Sequence, residues 1–428
     1  MSGYGWFRRQ RTLAATDGAS AAKRVWPQTK VSSVLKPLTT RGAVLTASTA
    51  ALVLVAGIMI VAFASPGSHA SQESAAASRG AAGPRQPAAA LRVVSVTPVA
   101  GAQWVNGASP VRVQFSAPLS ARSPMPVLSP AIAGQWSVQG TSAVFTPAVG
   151  YFQRTRVTVN IPGGAGGVVS AAGAHAGRGG TLAAGVTQSF TTGWFSTLRL
   201  QQLLAQLGYL PLTWTAAPVP GLSPGDARAE LSAAYSPPAG TFQWQSGYPW
   251  SLTSQWKPGS GNMIQVGAVR AFESVEGLTM DGSAGSSVWW HLLTAAANGQ
   301  RNPHGYTYAL VSQSSPENLK IWHDGHLVLG TAVNTGIPAS PTVDGTFPVY
   351  LRYYYQVMQG TNPDGSQYAD PVWYVAYFNG GDAVHFFPRY SFGYYQSLGC
   401  VELPWDQARA AWPYLTYGSL VTVTGPVA

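Results

Sequence analysis

Cysteine occurs once in these 428 residues, at Cys400, and charge is scarce: Asp, Glu, Lys and Arg together make up 9%. One thiol cannot form an internal disulfide, so no covalent staple holds the fold. Few charges argue against long helices laced with ion pairs. With 48 Gly, 32 Pro, 15 Trp and 19 Tyr, the chain reads instead as many short strands separated by turns. Its length allows two to four domains.

A net charge of +10 invites a nucleic-acid partner, but its distribution excludes one. Residues 1–41 hold eight Lys/Arg (Arg8, Arg9, Arg11, Lys23, Arg24, Lys30, Lys36, Arg41) and one acid, Asp17, a balance of +7. The remaining 17 basic and 14 acidic residues leave +3 and no basic stripe. The basic tail precedes GAVLTASTAALVLVAGIMIVAFAS, residues 42–65, 24 positions without a charge. As a helix this run spans roughly 36 Å, enough for a bilayer core of ~30 Å. Basic residues before it and few after it predict a single-pass anchor with a cytoplasmic N-terminus and all that follows outside. The competing reading is a cleaved signal peptide with Ser68-His69-Ala70 as its processing site. In an exported chain a lone cysteine points to intermolecular pairing or to a reactive thiol.

Residues 66–90 contain 19 Ala, Gly, Ser or Pro in 25 positions and read as a flexible spacer. In residues 91–193, LRVVSV, VRVQFS, SAVFTP and RVTVNI are β-branched runs split by Pro, Gly and Ser, which predicts a small β-sandwich. With VVSVTPVAGAQWV and FTPAVGYFQRTRVTVNI it resembles bacterial Ig-like domains, which implies a spacer or docking role.

Residues 194–300 read as helical in separated pieces. Leu200, Leu203, Leu204 and Leu207 share a helix face ended by Gly208, and Val266, Val269, Phe272 and Val275 share another, stopped by Gly277, with Ser286 as cap of the next. Gln201 to Tyr209, Ala268 to Glu273 and Gly277 to Gly282 resemble the three signatures of the helical peptidoglycan-binding module. Glu273 stands where that family has Gln, and residues 212–263 interrupt the module with a Trp/Tyr/Pro-rich insertion. A packing scaffold without wall binding is the alternative.

Strands resume at Tyr306. Asp324-Gly325 between two apolar runs signals a hairpin. His323 and His326 flank this turn without the further ligands that a metal needs, so they read as turn-side histidines. PTVDGTFPVYLRYYY, PVWYVAYFNGGDAVHFF and SLGCVELP follow. In this order the stretches resemble the YkuD-type L,D-transpeptidase domain over residues 304–424. Its strongest signature, a histidine followed about fifteen positions later by S-H-G-C-[VI]-[RN], falls on His385 and Ser397-Leu398-Gly399-Cys400-Val401-Glu402.

The chemistry supports a thiol enzyme independently. Free Cys has a pKa near 8.5 and needs a base at neutral pH. A histidine can take that proton and return it to an amine. Gly399 permits close substrate approach, and backbone N–H groups around residues 398–400 are candidates to receive an oxyanion. The loop between His385 and Cys400 is long enough to fold back and bring the two within hydrogen-bond reach.

The family resemblance implies Cys400 as nucleophile, His385 as proton carrier and the backbone carbonyl of Phe386 as its orienting partner. Ser397, Leu398, Glu402 and Tyr377 then line the substrate site, and no metal or other cofactor is required. The partners implied are peptidoglycan peptide stems and, through residues 42–65, the membrane. The reaction implied is attack on a tetrapeptide stem, release of D-Ala, and transfer to an amine as a 3→3 crosslink. Water as acceptor would make it an L,D-carboxypeptidase. Leu398 and Glu402 depart from the family's His and Arg/Asn. Glu402 reverses a charge near an anionic stem, and decay to a wall-binding protein is the remaining alternative. The expected fold is multidomain and mainly β: anchor, Ig-like sandwich, helical module and catalytic β-sandwich.

Overall fold

The computed structural model describes residues 90–171, 180–217 and 226–425. The tail 1–41, the apolar run 42–65 and nearly all of the spacer lie outside these residues. Among those described, no helix is long and apolar enough to cross a membrane.

Seven strands form the Ig-like part: β1 (Val93–Thr97), β2 (Val111–Phe115), β3 (Val127–Ser129), β4 (Gly134–Gln139), β5 (Ser142–Pro147), β6 (Arg156–Ile161) and β7 (Val186–Thr191). They pair as β1-β2-β5-β4 and β3-β6-β7. Alternation decides which faces meet. Val111, Val113 and Phe115 of β2 and Val157, Val159 and Ile161 of β6 are buried in one cluster, while Arg112 and Arg156 between or beside them stay exposed. The predicted sandwich is present, with β3, β4 and β7 in addition to the four runs read from sequence.

The middle segment holds α1 (Thr197–Gln206), β8 (Leu212–Ala216), α2 (Ala227–Tyr235), β9 (Gly240–Trp244), α3 (Trp250–Thr253), α4 (Met263–Val275) and α5 (Ser286–Ala297). The helices fall where the leucine and valine spacing predicts, and Gly208 and Gly277 follow them with positive φ. One detail is corrected: Ser286 does not cap α5, because the helix begins at Ser286 itself and Gly285 occupies the N-cap without a side-chain bond.

This segment does not close a core of its own. Its core of Leu200, Leu203, Leu204, Val269, Phe272 and Leu292 continues without a break into Tyr306, Tyr308 and Leu420 of the next unit. Positions of the family signature are spent internally. Buried Gln201 donates to the Ser260 carbonyl at 2.9 Å and accepts from Gly259 N–H at 2.7 Å, and Glu273 accepts from Gly282 N–H at 2.8 Å. Residues 212–263, read as an interruption, fasten the parts together. Tyr235 donates to the Tyr151 carbonyl at 2.7 Å and Asn106 to Ser232 at 3.0 Å on the Ig-like side. Tyr248 donates to the Tyr306 carbonyl and Tyr308 to Ser251, both at 3.0 Å, on the other side. Gly267 and Gly418 bring α4 against the last turn so closely that a Cβ on Gly267 would sit 2.6 Å from the Gly418 carbonyl oxygen.

The last unit contains β10 (Thr307–Ser312), β11 (Asn318–His323), β12 (His326–Ala332), β13 (Thr335–Gly336), β14 (Gly345–Pro348), β15 (Leu351–Thr361), β16 (Gln367–Asn379), β17 (Asp382–Phe386), β18 (Tyr395–Ser397), β19 (Val401–Leu403), α6 (Trp405–Ala411) and β20 (Leu420–Thr424). One sheet runs β12-β11-β10-β20-β14 and the other β15-β16-β17-β19, with β13 and β18 as a two-stranded parallel pair. Val311, Ile321, Val421 and Val423 of the first sheet meet Ala376, Phe378, Val384, Val401 and Leu403 of the second in one core, closed by Ala408 and Ala411. The Asp324-Gly325 hairpin is present, both residues with positive φ. Among the described residues no group of three or more His, Cys, Asp or Glu is placed to hold a metal.

Candidate active site

Strands β17 and β19 lie side by side in parallel, with Val384 opposite Val401, His385 opposite Glu402 and Phe386 opposite Leu403. Side chains alternate across a sheet. The register that sends Val384, Val401 and Leu403 into the core therefore turns Ala383, His385 and Glu402 to the other face. Cys400, two residues before Glu402, packs there against Ala383, Val372 and Val375, with Tyr377 and Phe387 around them. The aliphatic core of one face thus places the polar groups of the other.

This face is the floor of a cleft of about 820 Å³ lined by Cys400, His385, Tyr377, Asp382, Arg389, Ser397, Leu398 and Glu402. The long β15–β16 hairpin supplies further walls through Gln356, Met358, Asn362, Asp364, Tyr368 and Asp370.

His385 is 2% exposed, and its Nδ1 lies 2.9 Å from the Phe386 carbonyl oxygen. A carbonyl only accepts, so Nδ1 carries the hydrogen and Nε2 of the neutral ring is left as the proton acceptor. Burial lowers the imidazole pKa from 6.5 to about 4, with the positive charge of Arg389 adding to it and the Phe386 carbonyl and Asp370 opposing. Cys400 is half-buried, and burial pushes its thiol up to about 12, against the pull of the Ala383 N–H and with Asp382 and Glu402 adding. Both groups are neutral near pH 7.

The sequence predicts a direct contact between these two. The resting structure instead has the Cys400 thiol donating to the Gly381 carbonyl at 3.7 Å and His385 bonded to Phe386, and no hydrogen bond joins Cys400 to His385. Each side chain is instead bonded to a backbone carbonyl, within one cleft.

Gly399 has φ +115°, and a Cβ there would lie 2.5 Å from Asp382 Oδ1, so no other residue fits without moving the carboxylate. The backbone-amide reading needs one correction. Gly399 N–H donates to the Ser397 hydroxyl at 3.2 Å, and that hydroxyl donates to the Cys400 carbonyl at 2.6 Å. Ser397 is buried, and its hydroxyl clamps the turn that carries the thiol. Leu398 holds the same turn through its carbonyl, which accepts from Ser340 at 3.1 Å. Tyr377 lines the cleft with its hydroxyl accepting from Gln356, and burial raises its pKa to about 12.

Glu402 shows the largest departure from expectation. It is 4% exposed and does not face the cleft as a free anion. Arg389 donates to it twice, Nε to Oε2 at 2.7 Å and Nη2 to Oε1 at 2.8 Å. This fork is the geometry of an ionised pair, even though burial raises the carboxyl against the pull of Arg389. The charge reversal read from sequence is therefore cancelled locally. The missed residue is Arg389. Its signal was available: an acid in the apolar strand Val401–Leu403 of so sparsely charged a chain requires a buried cation.

A family model of the YkuD L,D-transpeptidase catalytic domain matches residues 306–423, and one of a bacterial Ig-like domain matches residues 87–192. No curated protein sequence matches the chain. Among solved structures, an L,D-transpeptidase from Mycobacterium smegmatis is 15% identical over 78% of this chain and 99% of its own, with a TM-score of 0.27. L,D-transpeptidase 3 from Mycobacterium tuberculosis is 15% identical over 78% and 98%, with a TM-score of 0.26. The catalytic domain of the E. faecium L,D-transpeptidase is 26% identical over 28% and 96%, with a TM-score of 0.26. Residues 194–300 lie between these two matches, and their resemblance to a peptidoglycan-binding module is not confirmed.

Proposed function

We propose that this chain, whose residues 306–423 carry an L,D-transpeptidase catalytic domain and whose residues 87–192 carry a bacterial Ig-like domain, transfers peptidoglycan stem peptides through a thioester on Cys400 and forms 3→3 crosslinks. The observation that supports this reading most is the buried His385. Its Nδ1 is committed to the Phe386 carbonyl, so its basic Nε2 shares a cleft with the chain's one thiol.

The neutral resting pair favours proton transfer during attack over a preformed thiolate. As Sγ adds to the scissile carbonyl of a tetrapeptide stem, Nε2 takes the thiol proton. Collapse of the tetrahedral adduct breaks the amide bond, and His385 returns the proton to the departing D-Ala amine, leaving a thioester. An acceptor amine then adds to the thioester, loses its proton to His385, and Cys400 leaves to regain it. The thiol must first give up its bond to Gly381, a rotation about one side-chain torsion. The Phe386 carbonyl holds the imidazole in the useful tautomer throughout.

The apolar run 42–65, together with the basic tail before it, favours a membrane anchor with the catalytic part on the cell-wall side. Protease added outside wall-free cells should then cut in residues 66–90; cleavage confined to 1–41 reverses the orientation. The reaction is tested by incubating the full chain with a tetrapeptide donor and a diamino acceptor stem. Released D-Ala together with a peptide dimer supports transfer to an amine. Released D-Ala without a dimer indicates water as acceptor, and no release refutes the reading.

A further inference from the structure

Four of the side chains lining the cleft are carboxylates, Asp364, Asp370, Asp382 and Glu402, and among its described lining residues the one Lys or Arg is Arg389. Glu402 is paired with Arg389, so an entering anion is repelled by the three aspartates and has one cation to turn to.

Arg389 is not a loose surface charge. Its Nε and Nη2 hold Glu402, Nη2 also donates to the Gln396 carbonyl at 3.0 Å, and the guanidinium lies 4.6 Å from the centre of the Phe387 ring. These contacts use the Nε hydrogen and both Nη2 hydrogens. Nη1, with two hydrogens, has no partner among the described residues, while the side chain keeps 28% exposure in the wall of the cleft. The group is thus clamped on one edge and open on the other, which is how a preorganised oxyanion receptor differs from a structural ion pair.

Its place matches one part of the substrate. Glu402 lies beside His385 in register and two residues after Cys400. The residue expelled from the donor takes its proton from His385, so it leaves on the His385 side of the thiol, the side on which Glu402 holds Arg389. That residue ends in a carboxylate one residue, or ~3.5 Å, beyond the scissile carbonyl.

We propose that Arg389, through Nη1, binds the terminal carboxylate of the donor's departing residue, with Glu402 as the positioning residue that fixes the guanidinium. The proposal rests on the acyl-transfer reading above and adds the residue that receives the donor's terminal carboxylate. No bond forms or breaks at Arg389. Glu402, which in the sequence looks like a charge repelling the substrate, becomes the support of the cation that attracts it.

The test compares the full chain's kcat/KM for a tetrapeptide donor with that for the same peptide as its C-terminal carboxamide. The natural chain should prefer the carboxylate by on the order of tenfold or more, as a charge-assisted hydrogen bond implies, and mostly through KM. The variant Arg389→Gln/Glu402→Gln removes both charges together, so no buried carboxylate is left unpaired; thermal unfolding checks its fold. Its preference should fall to near unity. Arg389→Lys, which keeps the charge and loses the fork, should retain part of it. Equal use of both donors by the natural chain, or a preference that survives in the double variant, overturns the anchor while leaving the acyl-transfer reading intact. A natural chain that turns over neither donor overturns both.

Discussion

Replacing Glu273 by Gln should stabilise the protein, and only above mildly acidic pH. Glu273 is fully buried on α4, where its Oε2 accepts from Gly282 N–H at 2.8 Å and its Oε1 has no partner. Burial, with Asp281 adding, raises its pKa from 4.5 to about 7, against the Gly282 bond and Arg270. A raised acid binds its proton more tightly folded than unfolded. Its contribution is therefore intact below pH 4.5, falls as the unfolded chain ionises above that, and is fully lost above pH 7. A shift of that size corresponds to about 3 kcal/mol. Asp281 and Ser283 beside it are exposed, so solvent screens part of the effect, and a gain of about 1–3 kcal/mol at pH 8 is expected for Glu273→Gln. Gln keeps the acceptor for Gly282 and offers a donor toward Asp281. Urea unfolding of both proteins at pH 4.5, 6 and 8 measures it. The difference should be small at pH 4.5 and grow through pH 7; a difference independent of pH, or a loss at pH 8, refutes the reasoning.

The remaining predictions concern the cleft. Because burial lowers the His385 pKa to about 4, the unfolded chain takes up a proton below pH 6.5 that the folded one refuses. Stability should thus fall from pH 6.5 toward pH 4, and the acid limb of kcat/KM should lie near pH 4, not near 6.5. Because the thiol lies at about 12, alkylation by iodoacetamide should still be rising at pH 9–10; a plateau reached by pH 7 means that a thiolate is already formed. Glu402→Arg places a second guanidinium against Arg389 in a buried site and should cost about 3 kcal/mol or more in unfolding free energy, read by urea unfolding. Gly399→Ala drives a methyl into Asp382 at a positive φ and should abolish acylation of Cys400, which peptide mass mapping reads directly.

The parts that local pattern controls were legible in the sequence. β-Branched runs split by Pro, Gly and Ser marked β1, β2, β5 and β6, leucine spacing marked α1, and Asp324-Gly325 marked its hairpin. Cys400 stood out as the lone cysteine, and the resemblance of its surroundings to the L,D-transpeptidase signature pointed to His385 and the Phe386 carbonyl. What escaped depends on register between segments far apart. Glu402 meets Arg389 only because β19 lies beside β17 and the loop after Phe386 turns back over that face. Residues 212–263 read as an interruption because their contacts, Tyr235 to Tyr151 and Tyr248 to Tyr306, reach into neighbouring units that no window of sequence contains. The Gly399 N–H was misassigned for a similar reason on a smaller scale. A hydroxyl two residues away claimed it, and only the folded turn shows which way Ser397 points.

The central claim is that Cys400 is acylated with His385 as its base. Incubation of the full chain with a carbapenem, followed by intact mass and peptide mapping, tests it most directly. The account predicts one adduct, on Cys400, absent in Cys400→Ala and formed more slowly by ~10² or more in His385→Ala. No adduct on the natural chain, an adduct on another residue, or an undiminished rate in His385→Ala would contradict it.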